Sequence, residues 1–341
     1  MNRKKLILLI LGLAALVGIV SAATIPYFGQ VQMTAKVKQA VLLDGKNYTT
    51  PITEEVEVAG GESFCRHHWL KSQTSVPVDL KFTTTYTPEG AGITTTYYKL
   101  TEKEYVIEEG RENYNGPVVD LDNPDDPYST LGNINLKISY EDAKVVFTIT
   151  TPSGLIGSTR ETYSGSVAFI FDEDADGTTD WQVLYEPGSS YWDFSGNWGY
   201  EEALENGRNP EPRQFVDATT VSGIEVARDG DNFIVKVDFE KLGGLGSNYK
   251  FGFYISVLTE YWGGTPDGAG QVMIFFPYLE NGFDWADTSN FETQTVGTEI
   301  PEDTPFTLAP GERLDFYICY EFAVNIESGD YTITTKVEPV P

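Results

Sequence analysis

Apolar residues recur at every second position along this chain, and no long stretch recurs at helical spacing. Val31, Met33, Ala35 and Val37 fall on one side of an extended segment, with Gln32, Thr34, Lys36 and Lys38 on the other. The same alternation returns at Val76/Val78/Leu80/Phe82, Ile134/Leu136/Ile138/Tyr140, Phe233/Val235/Val237/Phe239 and Leu314/Phe316/Ile318/Tyr320/Phe322. A period of two places alternate side chains on opposite faces of a pleated strand, whereas a helix needs 3.6. Turn-forming runs separate the rows: Asp44-Gly45-Lys46-Asn47, Gly60-Gly61-Glu62, Asp229-Gly230-Asp231-Asn232 and Pro310-Gly311-Glu312. With 20 Tyr and 19 Phe to fill its cores, the chain reads as all-β.

The N-terminus has a different grammar. Arg3-Lys4-Lys5 precedes an uncharged apolar run from Leu6 to Val20, followed by Ser21-Ala22-Ala23. Basic start, short apolar core and small residues are the order of a secretory signal peptide, assigned to 1–23. The apolar run is shorter than the roughly 20 residues a membrane helix needs. Val20-Ser21-Ala22 and Ser21-Ala22-Ala23 both fit as the cleavage tripeptide, and an uncleaved anchor is the alternative. The expected location is extracellular, at the cell surface, with no membrane attachment after cleavage. Loss of Arg3, Lys4 and Lys5 takes the formal charge from −28 to −31. So acidic a chain lacks the clustered cations that nucleic acid or anionic lipid demands.

Two cysteines remain, Cys65 and Cys319. In an oxidising compartment an even pair favours one disulfide, here tying the two ends of the chain together; two separately buried thiols are the alternative. Both lie in strands that follow a Gly-Glu turn, Cys65 in parity with His67 and Trp69, and Cys319 with Tyr317. Between the ends, the Pro- and Asp-rich run from Asp120 to Pro127 reads as a linker. At least six strands follow it, enough for a sandwich of their own. The expected organisation is therefore an outer domain from 24–115 and 296–341, interrupted by an inserted β-sandwich over 116–295. Asn47-Tyr48-Thr49 is a glycosylation sequon and points to an exposed Asn47.

The two ends resemble the TasA/camelysin family of secreted fibre proteins, most closely its archaeal bundling-pilus subunits. The residues that carry this are the signal peptide followed by Tyr27-Phe28-Gly29-Gln30-Val31, then Ala35 to Leu42, Gly60-Gly61-Glu62-Ser63, Ser75 to Leu80, and the Leu308-Ala309-Pro310-Gly311-Glu312 turn with its strand. The match covers less than half of the chain. It implies a jelly-roll-like β-sandwich that polymerises head to tail by donating an N-terminal strand to the next subunit. In this chain the donor row would be Tyr27, Val31, Met33, Ala35 and Val37; an ordinary first strand of its own sheet is the alternative. The implied partner is a second copy of the chain, with neighbouring filaments or glycans as further contacts. The large insert departs from the simple family pattern.

Inside the insert, Asp172-Glu173-Asp174-Ala175-Asp176-Gly177-Thr178-Thr179-Asp180 has the spacing of a calcium loop, with Asp172, Asp174, Asp176, Thr178 and Asp180 as ligands and Ca²⁺ as the expected ion. Position twelve is Val183 rather than Glu and no helices flank the loop, so it is not an EF-hand; a solvated acidic turn is the alternative. Trp192, Trp198 and Trp262 stand in aromatic-rich stretches and are candidate stacking platforms for a glycan, against the alternative that they cap the core. A monomeric surface module binding glycan or another cell is thus the second functional reading. The third is a secreted hydrolase, since camelysin-type proteins have been classed as metallopeptidases. His67 and His68 are the only histidines, adjacent in an expected strand and so directed to opposite faces. There is no H-E-x-x-H to build a zinc site. No catalytic residue is assigned.

Overall fold

The protein is described here from a computed structural model, over residues 40–46, 56–90, 92–112, 116–121, 131–157, 165–187, 197–202, 215–258, 271–278 and 286–340. The chain enters through β1 (Val41–Leu43), β2 (Ser63–Ser72), β3 (Val78–Thr87) and β4 (Ile93–Leu100). It then forms β5 (Lys103–Ile107), β6 (Glu109–Glu112), β7 (Val118–Asp120), β8 (Ile134–Glu141) and β9 (Lys144–Thr150). Next come β10 (Gly165–Asp172), β11 (Trp181–Tyr185), β12 (Trp198–Glu202), β13 (Val216–Asp217), β14 (Ile224–Asp229) and β15 (Asn232–Asp238). The middle ends with β16 (Asn248–Leu258), β17 (Gln271–Phe276) and β18 (Thr293–Thr295). The chain leaves through β19 (Thr298–Ile300), β20 (Phe306–Leu308), β21 (Arg313–Phe322) and β22 (Thr332–Pro339). Two 3-10 turns, Ala218–Thr220 and Phe239–Leu242, lie wholly within the described residues.

Pairing sorts these strands into two sandwiches within one compact unit, Val41–Pro341. The smaller is made by both chain ends: a five-stranded sheet in the order β1-β2-β21-β4-β19 faces a three-stranded sheet β20-β3-β22. The larger is made by the middle: a five-stranded sheet β14-β15-β9-β8-β5 faces a nine-stranded sheet running β13-β12-β11-β10-β16-β17-β6-β7, with β18 paired to β16. The fold is all-β, a jelly-roll-like sandwich carrying a second sandwich. The junction differs from the expected 115/116. β5 pairs with β8 and β6 with β17, so the sheets of the larger sandwich begin at Lys103. Tyr105 and Ile107 belong to the alternating row that faces its core, and the Asp-rich run that looks like a linker in sequence comes only later.

The small core is built on Phe82, which is fully buried. Its ring stacks on Tyr97 at 4.5 Å and lies 5.0 Å from Phe306 and 4.9 Å from Phe316, within a cluster that also takes in Leu70, Leu80, Ile300, Leu308 and Ile318. The five-stranded sheet uses its other face as well. Tyr317, on the opposite side of β21 from Phe316, reaches the large core, where its ring meets Phe239 edge-on at 5.6 Å and its hydroxyl accepts the Ala143 N–H at 3.0 Å. Tyr98 lies against Gly246, where a Cβ would fall 2.8 Å from the ring; Gly246 also has a φ of +85°, so glycine is required there twice over.

β10 shows why some strands lack alternation. All eight of its residues are buried. Val167, Phe169 and Phe171 join the main core, while Ala168 and Ile170 join a second cluster on the outer face of the nine-stranded sheet with Leu184, Met273 and Phe275. A strand covered on both faces reads as a continuous apolar run.

Removing the Phe82 ring leaves a cavity among three aromatic partners. Phe82→Ala is expected to cost ~3–5 kcal/mol, read from urea denaturation followed by tyrosine and tryptophan fluorescence.

Candidate functional site

Two regions of the described chain have the makings of a site, and the first is an open sheet edge. β22 pairs with β3 over eight residues, from Thr332 opposite Thr87 to Pro339 opposite Leu80. Among the described residues no strand pairs with its other side. It is the longest edge strand of the four sheets; the other edges, β1, β5, β7, β13, β14, β19 and β20, have six residues or fewer. Its inward row, Ile333, Thr335 and Val337, is only half-buried, while Thr332, Thr334 and Lys336 are exposed. An antiparallel edge presents unpaired N–H and C=O groups, and here it also leaves part of the small core's flank uncovered. The sequence reveals this strand by its alternation but not its place at an edge, which depends on a pairing with β3 more than 240 residues earlier in the chain.

The second region is the acidic loop between β10 and β11. Asp172, at the end of β10, is fully buried. Its carboxylate accepts the N–H of Asp176 at 3.1 Å and of Gly177 at 2.9 Å, together with the Thr288 hydroxyl. Asp174 accepts the Asp176 N–H at 3.1 Å, Asp176 the Thr178 N–H at 2.8 Å, and Asp180 the Glu173 N–H at 2.7 Å. Gly177 turns with φ +101° and Ala175 with φ +61°. Carboxylate oxygens of Asp172, Asp174 and Asp176 come within 4.8 Å of one another. Burial first, and then the neighbouring Glu173, Asp174 and Asp172, push the Asp180 carboxyl up to about 6. Thr178 forms a bridge with Asp287, and Thr288 donates its N–H to the Gly177 carbonyl at 3.0 Å. The 287–289 segment is a partner that the nine-residue loop motif does not reveal. Three converging carboxylates without nitrogen or sulfur donors fit a hard cation such as Ca²⁺.

The other residues singled out in the sequence divide into four groups. Cys65 lies directly opposite Cys319 in the β2–β21 register, and the two form a disulfide with Cα atoms 4.0 Å apart. His67 and His68 point to opposite faces of β2: His67 Nε2 lies 3.0 Å from Asp315 against the Tyr317 ring, His68 Nδ1 2.7 Å from Asp44 against Phe316. Trp198 is 8% exposed and packs in the main core against Tyr185, Phe169 and Phe233; it caps the core and offers no stacking platform. The signal peptide, the donor row of Tyr27, Val31, Met33, Ala35 and Val37, the sequon at Asn47, and Trp192 and Trp262 lie outside the described residues. Among the described residues no helix is long and apolar enough to cross a membrane.

No family model matches the chain, and no curated protein matches it. Among solved structures it is similar to a family 9 carbohydrate-binding module from Caldicellulosiruptor kristjanssonii in complex with cellotriose, at 14% identity and a TM-score of 0.30, over 53% of this chain and 90% of that one. The same module in complex with glucose gives 14% identity and a TM-score of 0.29, over 57% of this chain and 97% of that one.

Asp172 holds the acidic loop in shape through the hydrogen bonds it accepts. Asp172→Ala removes the acceptor of the Gly177 N–H and of the buried Thr288 hydroxyl, and one of the two acceptors of the Asp176 N–H, and is expected to cost about 1–3 kcal/mol, measured by urea denaturation in chelator. Asp174→Ala, at an exposed position, is expected to cost far less.

Proposed function

We propose that this chain is a non-enzymatic structural subunit of an extracellular filament or biofilm matrix, assembled head to tail by strand addition. The single observation that carries the reading is the open edge of β22 with its half-buried inward row. A strand laid along that edge satisfies main-chain groups and covers Ile333, Thr335 and Val337 with alternate side chains of its own. The N-terminal segment has the matching sequence: Val31, Met33, Ala35 and Val37 on one side, Gln32, Thr34, Lys36 and Lys38 on the other. Lys336 and Glu338 on β22 discourage indiscriminate pairing. A contact between two different surfaces that does not close on itself propagates into a fibre. The TasA/camelysin resemblance of the two chain ends supports the same reading.

A metallopeptidase reading lacks support. The two histidines face apart, and among the described residues the only convergent group of three or more metal-binding side chains is the aspartate trio. In this proposal the trio binds Ca²⁺ and stiffens the loop against the 287–289 segment, which precedes the return of the chain to the small sandwich.

Electron microscopy of the chain beginning near Ala23, beside one lacking 24–39, tests assembly. Filaments are expected from the first and monomers from the second, and a peptide spanning 27–39 is expected to bind the truncated monomer and raise its melting temperature. Monomers from both chains, with no peptide binding, would rule out strand addition. Calcium is tested separately by thermal unfolding. At a hundredfold excess over its Kd the ion should add about 2.7 kcal/mol, and Asp174→Asn with Asp176→Asn should abolish the gain. An unchanged melting temperature in millimolar Ca²⁺ would remove the ion from the proposal.

A further inference from the structure

We propose that the Cys65–Cys319 bridge is a mechanical shunt that keeps the larger sandwich out of the path of tension along the chain. The direction of that tension rests on the filament reading: it enters a subunit through the segment before Val41 and leaves through β22. Without the bridge, the only covalent route between them runs through the whole middle of the chain, and the larger sandwich stands in series with the load.

The geometry of the β2–β21 pair makes the position of the bridge specific. The strands are antiparallel, so the N-terminal end of β2 and the C-terminal end of β21 lie together: Ser63 is opposite Glu321, Phe64 opposite Tyr320, and Cys65 opposite Cys319. Once β1 has parted from Leu70, Lys71 and Ser72, tension arriving at the start of β2 and departing from the end of β21 pulls on this shared end. It opens the pair like a zipper, one ladder rung at a time, which is the weakest way to load antiparallel strands because the hydrogen bonds break in sequence rather than together. The disulfide is the third pair from that end. Opening stops after two rungs, and the remaining six pairs, from Arg66–Ile318 to Lys71–Arg313, are not loaded. The covalent route then runs from β1 to Cys65, across the bridge, and from Cys319 to β22. The loop closed by the bridge has a sequence separation of 254 and contains every strand of the larger sandwich. Tyr317 and Tyr98, which fasten the larger sandwich to the small one, lie inside the loop and are shielded with it.

The test is single-molecule pulling of the full mature chain from its two termini, oxidised and reduced. In the oxidised chain, complete unfolding is expected to release a contour shorter by about 900 Å, at ~3.6 Å per residue. The doubly substituted Cys65→Ser, Cys319→Ser chain in the absence of reductant is expected to match reduced wild type, and reduced wild type supplies the comparison by itself if that variant does not fold. Equal contour release from oxidised and reduced wild type would overturn the proposal. So would first opening at the same force in both states followed by extension of the larger sandwich in both. The ~900 Å difference in a chain that forms no filaments by microscopy would uphold the shunt and overturn the assembly reading.

Discussion

The pairing of β2 with β21 is the constraint on which the small sandwich depends. Nine residue pairs join strands from opposite ends of the chain, from Ser63–Glu321 to Lys71–Arg313, and β1 and β4 are hydrogen-bonded to the two sides of that ribbon. Bringing such distant segments together carries a loop-closure cost that grows only slowly with length. The larger sandwich lowers it further by folding with its own two ends adjacent. Lys103, at its first strand, donates a hydrogen bond to Gln294 in its last, and Tyr105 donates one to Glu292. The chain that emerges at β19 therefore starts beside the point where β4 stopped.

The five-stranded sheet of the small sandwich works on both faces. One carries Phe316, Ile318, Leu70 and Tyr97 into the small core, and the other delivers Tyr317, Leu100, Tyr98 and the disulfide to the large one. The two sandwiches share a wall, which is why Val41–Pro341 behaves as one compact unit. A hydroxyl accepting a main-chain N–H, as Tyr317 does from Ala143, adds direction to that contact, whereas apolar burial alone is non-directional.

Much of this was legible in the sequence because period-two alternation survives wherever one face of a strand is buried. The rows at Leu314–Phe322 and Val78–Phe82 place two of the outer strands, although Val76, read as the first inward residue of the second row, is exposed ahead of β3. The cysteine pair, favoured in sequence over two separate thiols, is bonded across β2 and β21. The features that were not legible depend on distant neighbours. The start of the larger sandwich at Lys103 has no local marker, because Thr101-Glu102 is a short connection without glycine or proline. Trp198 sits in a run of aromatic and glycine residues that reads like an exposed loop, but pairing of β12 with β11 turns it into the core. Asp172 looks equivalent to Asp174 and Asp176 in the motif. Position at the end of a doubly covered strand makes it the buried acceptor that shapes the loop, with the other two at the surface.

β4 and β19 are hydrogen-bonded neighbours, with Lys99 opposite Thr298 and Tyr97 opposite Ile300. In the connectivity of the small sandwich alone they are the two arms of a hairpin, and the whole larger sandwich occupies the position of its turn. Two residues would serve to close that hairpin. Topologically the middle of this chain is a cassette lodged in a β-turn, so the frame around it can lose, exchange or enlarge its passenger without redrawing a single strand pairing of its own, at the expense of the contacts that Tyr317, Tyr98, Leu100 and the disulfide make on the shared wall.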